Sequence, residues 1–318
     1  MQDEYLKELI ELTSDELDLT YSIIEKDYYV TKAIHAFANI ETEYFRLIFQ
    51  GGTCLAKAHG IIKRMSEDCD FRIETKPSAL ELSKQKLRNK LKEFRDEILV
   101  NLKEVGFIIN ETNIKVRDTG NFMRIFAPYN SIYLKDNTIR PDILLEFIAI
   151  NTKTPTIDLS ITTLIRNTLG KKINHHEKIV HCVSIEETAA EKWVALTRRI
   201  ANISHRGYHP KDAQLIRHIY DLHSINEAKP LDNDFYSLIE QIVSEDQIRY
   251  KSHNVNYYQN PINEIEQAIQ TLINDKIWQE NWNKFIKNLV FDDKLTAYEI
   301  ALETFVEKSK DILEVLKS

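Results

Sequence analysis

The sequence has little of three things: cysteine, glycine and unbroken apolar sequence. Its three cysteines, Cys54, Cys69 and Cys182, are odd in number and unrelated in spacing, which argues against a disulfide framework and a zinc site. A reduced, cytoplasmic setting is the expectation that follows. No apolar run approaches the roughly 18 residues of a membrane-spanning helix, and the acidic, amphipathic N-terminus lacks the apolar core of a signal peptide. We therefore expect no membrane segment.

An excess of positive charge is also missing. Lys and Arg together number 42 against 49 Asp and Glu, which gives a formal net charge of −7. The hydrophobic fraction of 43% is ordinary for a globular protein. Binding to nucleic acid through bulk charge is therefore excluded, and any such contact must use a local basic patch.

Two kinds of pattern follow one another along the chain. Helical and strand patterns alternate up to about residue 165, and helical patterns dominate beyond it. We therefore predict an α+β domain over residues 1–170 and a helical domain over residues 171–318. Ser14 is expected to cap the second helix and Thr53 the third. The predicted helices span residues 4–14, 21–39, 53–60, 78–105, 186–202, 210–226, 234–247, 260–273 and 295–317.

Strand patterns are confined to the first domain. An apolar run at 45–49 ends at Gly51-Gly52, and residues 69–73 alternate as a strand does. The run 143–150 is apolar at nearly every position except Glu146, as expected of a strand covered on both faces. Shorter, meander-like strands are predicted at FIIN (107–110), IKVR (114–117), FMRIFAPY (122–129) and SIYLK (131–135).

Two of the seven glycines stand side by side, at Gly51 and Gly52, between a strand and a helix. Glycine lets a ligand approach the backbone closely. The free N–H groups at the start of a helix favour an anion such as phosphate. This stretch is a candidate phosphate-binding turn, and an ordinary turn is the alternative interpretation.

An acidic cluster follows the glycine pair closely. Asp68 and Asp70 stand two apart at the start of a strand, so both carboxylates lie on one face. Paired carboxylates suit Mg²⁺, which itself bridges phosphate oxygens. Glu146 is the candidate third acid, as a metal ligand or as a base, because a lone carboxylate in so apolar a strand is costly unless it is used.

Each of these acids has a structural alternative. Asp68 and Asp70 could be solvated surface residues, and Glu146 could pair with a core arginine such as Arg140. Taken together, however, a phosphate-binding turn and two or three carboxylates are the groups that nucleotidyl transfer requires, since positioning and charge neutralisation supply most of its acceleration.

The segments that carry these residues resemble a known family. GGTCLAK (51–57) and RMSEDCD (64–70) are similar to motifs of the AbiEii/AbiGii nucleotidyltransferase toxins, a branch of the DNA-polymerase-β-like nucleotidyltransferase superfamily. The resemblance covers residues 24–225 in ordered segments and does not extend beyond residue 230. Its remaining segments are IEKDYYVTKAI (24–34), IRPDILLEF (139–147), EKWVALTRR (191–199) and RHIYDLHSI (217–225).

The resemblance implies a role for each matching residue. The first domain would contain a nucleotidyltransferase-like mixed sheet with flanking helices. Mg²⁺ would be bound by Asp68 and Asp70, with Glu146 as the third acid where many relatives carry Asp, and with Asp142 close by in the sequence. Lys192 would bind the nucleotide phosphates, and Asp221 would position that lysine or the acceptor. The nucleotide would be bound by Gly51, Gly52, Thr53, Lys57 and Ser66.

The region around Lys192 allows a second interpretation. Lys192 alone could be a solvated helix position. The stretch 192–218 nevertheless holds six Lys or Arg residues and one acid, Asp212, with histidines and tyrosines interleaved. Such a stretch suits contact with a phosphate backbone. The alternative is a basic helix that pairs with the acidic C-terminal region.

The activity implied by the resemblance is transfer of a nucleoside monophosphate from an NTP to an acceptor, with Mg²⁺. In related toxins the acceptor is the 3′ end of tRNA, and blocking it stops aminoacylation and growth. A cognate antitoxin protein would be the partner. Two alternatives remain: nucleotidylation of a protein or small molecule, and an inactive nucleotide-binding protein, against which the intact Asp68 and Asp70 argue.

Overall fold

The computed structural model describes residues 2–38, 40–133, 140–170, 177–231, 233–292 and 294–318. The chain divides into two compact units. The sheet unit consists of Met1–His59 and Ser66–Val183, and the helical unit consists of Gly60–Met65 and Ser184–Ser318. Among the helices in the described ranges, none combines the length and the apolar character that crossing a membrane requires.

The sheet unit is built on seven strands in the order β3-β4-β5-β2-β1-β7-β6. The β2–β5 and β1–β7 pairs are parallel and the other pairs are antiparallel, which confirms the predicted α+β class with a mixed sheet. Its elements are α1 Gln2–Leu17, α2 Tyr21–Ala36, β1 Phe45–Gln50, α3 Gly51–Lys57, β2 Asp68–Thr75, α4 Lys84–Glu104, β3 Ile114–Arg117, β4 Phe122–Pro128, β5 Asp142–Ile148, β6 Ile157–Ile161, α5 Leu164–Leu169 and β7 Lys178–Cys182.

One face of the sheet forms the core of this unit. Side chains alternate along β2 and β5, so Cys69, Phe71 and Phe147 point into the core. The rings of Phe71 and Phe147 stack with centroids 5.4 Å apart, and Phe37 packs edge-on against both. The helices α2 and α4 supply further side chains of the same apolar cluster, among them Val30.

The other face of the sheet is only partly covered. Burial alternates strictly along β5, with Leu144, Glu146 and Ile148 half-buried. The prediction that this strand is covered on both faces is therefore wrong. The apolar run conceals a strand with two different faces, and the half-buried face carries the acids Asp142 and Glu146.

Several predicted boundaries are also wrong. Residues 107–110 form no strand, although Phe107 and Ile109 are buried and Ile108 is exposed, because an irregular segment that crosses the core can alternate as a strand does. Residues 131–133 form no strand either, and the rest of SIYLK lies outside the described residues. The long predicted helix 78–105 begins only at Lys84, after a 3₁₀ turn at Pro77–Glu81.

Neither predicted helix cap acts as one. Ser14 lies inside α1, where its hydroxyl donates to the Leu19 carbonyl (2.5 Å), and Thr20 precedes α2 instead. Thr53 also lies inside its helix, because α3 begins directly at Gly51. In both cases the helix extends across the residue expected to start or cap it.

The helical unit is arranged around α6, which contacts α7, α8 and α10. The indole N–H of Trp193 on α6 donates to the Ser309 hydroxyl (2.9 Å) in the interior. The segment Gly60–Met65 belongs to this unit, since Met65 N–H donates to the Leu289 carbonyl (2.7 Å). The helices are α6 Ile185–Arg206, α7 Ile216–Ala228, α8 Asn233–Arg249, α9 Val255–Gln259, α10 Pro261–Asn274, α11 Ile277–Leu289 and α12 Tyr298–Lys317.

The two-sided sheet leads to a stability prediction. Phe147→Ala removes a fully buried ring and should lower the free energy of unfolding by about 3–5 kcal/mol. Phe126→Ala, on the half-buried face of neighbouring β4, should cost about 1 kcal/mol. Urea unfolding of both variants measures the difference, and equal losses would contradict the assignment of faces.

Candidate active site

The turn between β1 and α3 has no connecting loop, and Gly51 makes it possible. Gly51 has φ +79°, a backbone conformation that residues with a side chain rarely adopt. A Cβ at this position would lie 2.6 Å from Oδ2 of Asp70. The glycine therefore serves two purposes: it forms the sharp entry to the helix, and it leaves room for a carboxylate against the backbone.

The register of β2 against β5 brings the predicted acids onto one face. Asp70 lies opposite Glu146 and Asp68 lies opposite Leu144. The buried residue between the two aspartates, Cys69, points to the core face, so both carboxylates point to the other. The Asp68 side chain is 49% exposed and that of Glu146 is 27% exposed, so both reach solvent.

Two arginines lie against these acids. Arg124 on β4 pairs with Glu146 across the β4–β5 ladder, and Arg140 contacts Asp68 at 3.4 Å (Nη2 to Oδ1). The suggested pair between Glu146 and Arg140 is therefore wrong, although Glu146 does pair with an arginine. Both guanidinium groups offset the mutual repulsion of the carboxylates.

The fit of this face to a metal ion can be judged from its donors. Within the parts of the chain that the structure describes, no group of three or more His, Cys, Asp or Glu side chains is arranged to hold a metal ion. The donors on this face are nevertheless carboxylate oxygens, the hard ligands that Mg²⁺ prefers. Asp68, Asp70 and Glu146 are donors of that kind on one face, and their binding of Mg²⁺ stays a prediction. Asp142, at the first position of β5 and opposite Pro128, lies further from Asp70 along the ladder.

Three residues of the predicted nucleotide-binding set use their side chains inside the protein. The buried Thr53 hydroxyl is hydrogen-bonded to the Ser66 hydroxyl (2.9 Å) and donates to the Asp68 carbonyl. The Lys57 ammonium pairs with Asp27, and the Lys57 side chain is 10% exposed. These contacts tie α3 to the start of β2 and to α2, and a direct contact of these residues with nucleotide stays a prediction.

A second charged cluster lies inside the helical unit. Lys192 on α6 is buried, and its Nζ donates to Oδ2 of Asp221 on α7 at 2.7 Å. The interpretation of Lys192 as a solvated position is therefore wrong. Arg64 donates from Nε and Nη2 to the two oxygens of the same carboxylate, both at 2.7 Å. The contact brings Asp221 and Lys192 together, while the positioning role of Asp221 and the contact of Lys192 with nucleotide stay predictions.

The Asp221 carboxylate is stabilised by its two cations. Burial alone would raise the pKa of Asp221, but the charges of Arg64 and Lys192 and their hydrogen bonds hold that pKa well below its usual range. Arg64 was not predicted as a functional residue, although it opens the RMSEDCD motif. Its partner lies too far away along the chain for the sequence to indicate it.

The basic stretch 192–218 is largely paired within the helical unit. Arg198 donates to Asp246 (2.6 Å) and His205 contacts Glu264 (2.8 Å), both acids of the C-terminal region. Arg206 donates to Asp212 at 2.7 Å. These pairs favour the interpretation of a basic helix that forms ion pairs with acidic residues of the same unit.

Lowering the pH should reveal how much the Asp221 cluster contributes to the free energy of unfolding. Because the folded-state pKa is depressed, the stabilisation is complete at neutral pH and is lost as pH falls below about 4, where the unfolded carboxyl takes up a proton first. Asp221→Asn should lower the free energy of unfolding by about 3–5 kcal/mol at pH 7. The difference from wild type should shrink between pH 4 and pH 3, measured by urea unfolding. A difference that stays constant over that interval would refute the assignment.

Curated proteins, solved structures and family models provide three comparisons for this chain. A search of curated proteins found no match. Among solved structures, the chain is similar to MenT4, a nucleotidyltransferase toxin from Mycobacterium tuberculosis H37Rv, at 16% identity and a TM-score of 0.51, over 97% of this chain and 99% of that one. At that identity the similarity concerns the fold. The family model described as nucleotidyl transferase AbiEii toxin, type IV TA system, matches residues 39–308, so the similarity extends beyond residue 230, where the motifs indicated none. Because the match spans most of its length, the chain belongs to the AbiEii family of nucleotidyltransferase toxins of type IV toxin–antitoxin systems.

Proposed function

We propose that this nucleotidyltransferase moves a nucleoside monophosphate from an NTP to the 3′ end of tRNA, in a Mg²⁺-dependent reaction that makes it the toxin of its system. The register that sets Asp70 opposite Glu146, with Asp68 on the same face, is the observation that carries the proposal. Nucleotidyltransferases of this kind generally use a divalent metal ion.

Each group on this face has a role in the proposal. Asp68 and Asp70 would hold Mg²⁺ with Glu146, and the bound ion would neutralise charge on the phosphate oxygens. The Thr53 hydroxyl donates to the Asp68 carbonyl inside the protein. The triphosphate would therefore be bound by the backbone N–H groups at Gly51 and Gly52 and not by that hydroxyl.

The bond changes are those of an in-line displacement. The acceptor hydroxyl oxygen forms a bond to the α-phosphorus, and the bond from that phosphorus to the bridging oxygen of the β-phosphate breaks. Pyrophosphate leaves with the electron pair of that bond. Glu146, the partly exposed acid opposite Asp70, would accept the hydroxyl proton where it serves as base instead of metal ligand.

The choice of tRNA as acceptor rests on the family, whose membership also implies an antitoxin partner. A tRNA acceptor implies a cytoplasmic site of action. The paired basic residues Arg198, His205 and Arg206 do not by themselves define an RNA footprint. Transfer to protein is therefore an outcome that the assay must be able to detect.

Labelled NTPs test the reaction directly. Purified protein is incubated with each NTP, Mg²⁺ and total tRNA, beside Asp68→Asn/Asp70→Asn. We expect label on tRNA with wild type and a loss of at least about 100-fold in the double variant, because the charge that would hold the metal ion is removed. Omission of Mg²⁺ should have the same effect.

The other outcomes of this assay decide between the alternatives. Label on protein alone would replace tRNA by a protein acceptor. Label that is absent, or that persists in the double variant, would contradict catalysis at this face.

A pair of glycine variants tests whether the carboxylate position matters. Gly51 and Gly170 have φ +79° and +78°, but only a Cβ at Gly51 meets Asp70, since nothing lies within 4 Å of the other. Both alanine variants should lose roughly 1–3 kcal/mol of stability through backbone strain. Only Gly51→Ala should also slow transfer, by roughly 10–100-fold per folded molecule. Equal transfer by the two variants would show that the Asp70 position is not critical.

A further inference from the structure

Three consecutive charged residues of α2 have no place in the reaction described so far. Glu25 and Lys26 are almost completely buried, and the Asp27 side chain is 12% exposed. They belong to the IEKDYYVTKAI segment, on a helix whose apolar side chains pack in the core of the sheet unit. Burial of charge is costly unless every group is paired, so their partners indicate what they do.

Lys26 connects the two strands that carry the acids. Its ammonium donates to the backbone carbonyls of Arg140 (2.8 Å) and Asp142 (2.5 Å) and pairs with the Glu67 carboxylate at 3.2 Å. Two backbone carbonyls and one carboxylate therefore surround the ammonium. Glu67 directly precedes Asp68, and Asp142 is the first residue of β5. One buried cation therefore holds the start of both strands.

Asp27 connects the same helix to α3. One of its oxygens pairs with Lys57, the last residue of the helix that begins at Gly51. The other accepts a hydrogen bond from the backbone N–H of Leu164 (2.7 Å), the first residue of α5. Lys57 thereby fixes the end of α3 to α2, while Thr53 fixes its middle to β2.

Glu25 extends the same arrangement to the segment after β4. Its carboxylate accepts hydrogen bonds from the Ser131 hydroxyl (2.5 Å) and from the Ile132 backbone N–H (2.6 Å). Three adjacent side chains on one helix thus contact the residue before β2, the start of β5, the end of α3, the start of α5 and the chain that follows β4. No other contact is needed to explain why charge is placed at these core positions.

We propose that Lys26 and Asp27 are positioning residues for nucleotidyl transfer: Lys26 sets the Asp68 end of β2 against β5, and Asp27, through Lys57, sets the glycine turn of α3 beside them. This role deepens the proposed function and rests on it. Neither residue needs to touch substrate. Each acts by holding elements that are distant in sequence at the positions that transfer requires. A displacement of about 1 Å costs on the order of 100-fold in the rate of such a reaction.

The test compares four single variants of the full-length protein. Lys26→Met removes the cation. Glu67→Gln removes only the ion pair and keeps both carbonyl contacts of Lys26, so it is informative if the first variant folds poorly. Asp27→Asn keeps an acceptor for Leu164 N–H but loses the charge that faces Lys57. Arg46→Met is the matched control, because Arg46 pairs with Glu74 between β1 and β2 at the opposite end of β2.

Two measurements are made on each variant: backbone hydrogen exchange by mass spectrometry, and transfer kinetics with Mg²⁺ and NTP varied. Lys26→Met should speed exchange in peptides covering 67–72 and 140–148, raise the Mg²⁺ requirement and lower kcat about tenfold or more. Glu67→Gln should show a smaller change of the same kind. Asp27→Asn should speed exchange at 51–58 and raise KM for NTP more than it lowers kcat. Arg46→Met should alter exchange only near 45–47 and 73–75 and leave transfer within about twofold.

The two measurements separate the failure of each proposal. Exchange that rises throughout the sheet unit, or transfer that falls only with the folded fraction, would overturn the positioning role and leave a stabilising one. Faster exchange confined to the named segments supports the positioning role even if the wild type transfers no nucleotide. That absence of transfer would contradict the proposed function and leave the positioning of these segments intact. Local loosening with normal transfer kinetics would overturn the role of these residues in the reaction.

Discussion

The register between β2 and β5 is the constraint on which both the core and the candidate site depend. Side chains alternate between the faces of a strand, so a slip by one residue would exchange the two sets completely. In the observed register Phe71 stacks on Phe147 in the core, and Asp70 lies opposite Glu146 on the other face. The apolar contact therefore positions the acids. A site built this way needs no loop to hold it, which suits a reaction accelerated mainly by placement of charge.

Charged groups in the interior extend the same principle to elements outside the sheet. Lys26 donates to the carbonyls of Arg140 and Asp142 and pairs with Glu67 in the sheet unit. In the helical unit, the Asp221 carboxylate accepts hydrogen bonds from Arg64 and Lys192. A fully partnered buried pair adds little net stability compared with apolar packing, but removal of one partner is costly. Such pairs specify which segments meet. Both clusters involve residues of the family-like segments, so charged residues of these motifs have partners within the protein.

The sequence was sufficient where the physics is local. Period two places Asp68 and Asp70 on one face, and the apolar runs identify β1, β2 and β5. Glycine chemistry identifies Gly51, although its closest neighbour, Asp70, was not foreseen. Prediction failed where a partner that is distant in sequence determines the environment of a residue. The sequence around Lys192 allows a solvated position, but Asp221 pairs with it in the interior. Glu146 pairs with Arg124 because β4 lies next to β5. The short strands β6 and β7 and the helices α5, α9 and α11 were missed altogether. The FIIN segment shows the opposite error, since alternating burial also occurs in an irregular segment.

Metal-directed backbone cleavage tests the central claim most directly, that the face carrying Asp68, Asp70 and Glu146 holds the metal ion of the reaction. Fe²⁺ is substituted for Mg²⁺, and ascorbate and peroxide then generate radicals that cut the chain close to the ion. The account predicts cuts near residues 51–53, 68–70 and 144–146, suppressed by excess Mg²⁺ and absent in Asp68→Asn/Asp70→Asn. Cuts confined to the region of His205 and Glu264, or cuts that survive the double substitution, would contradict it.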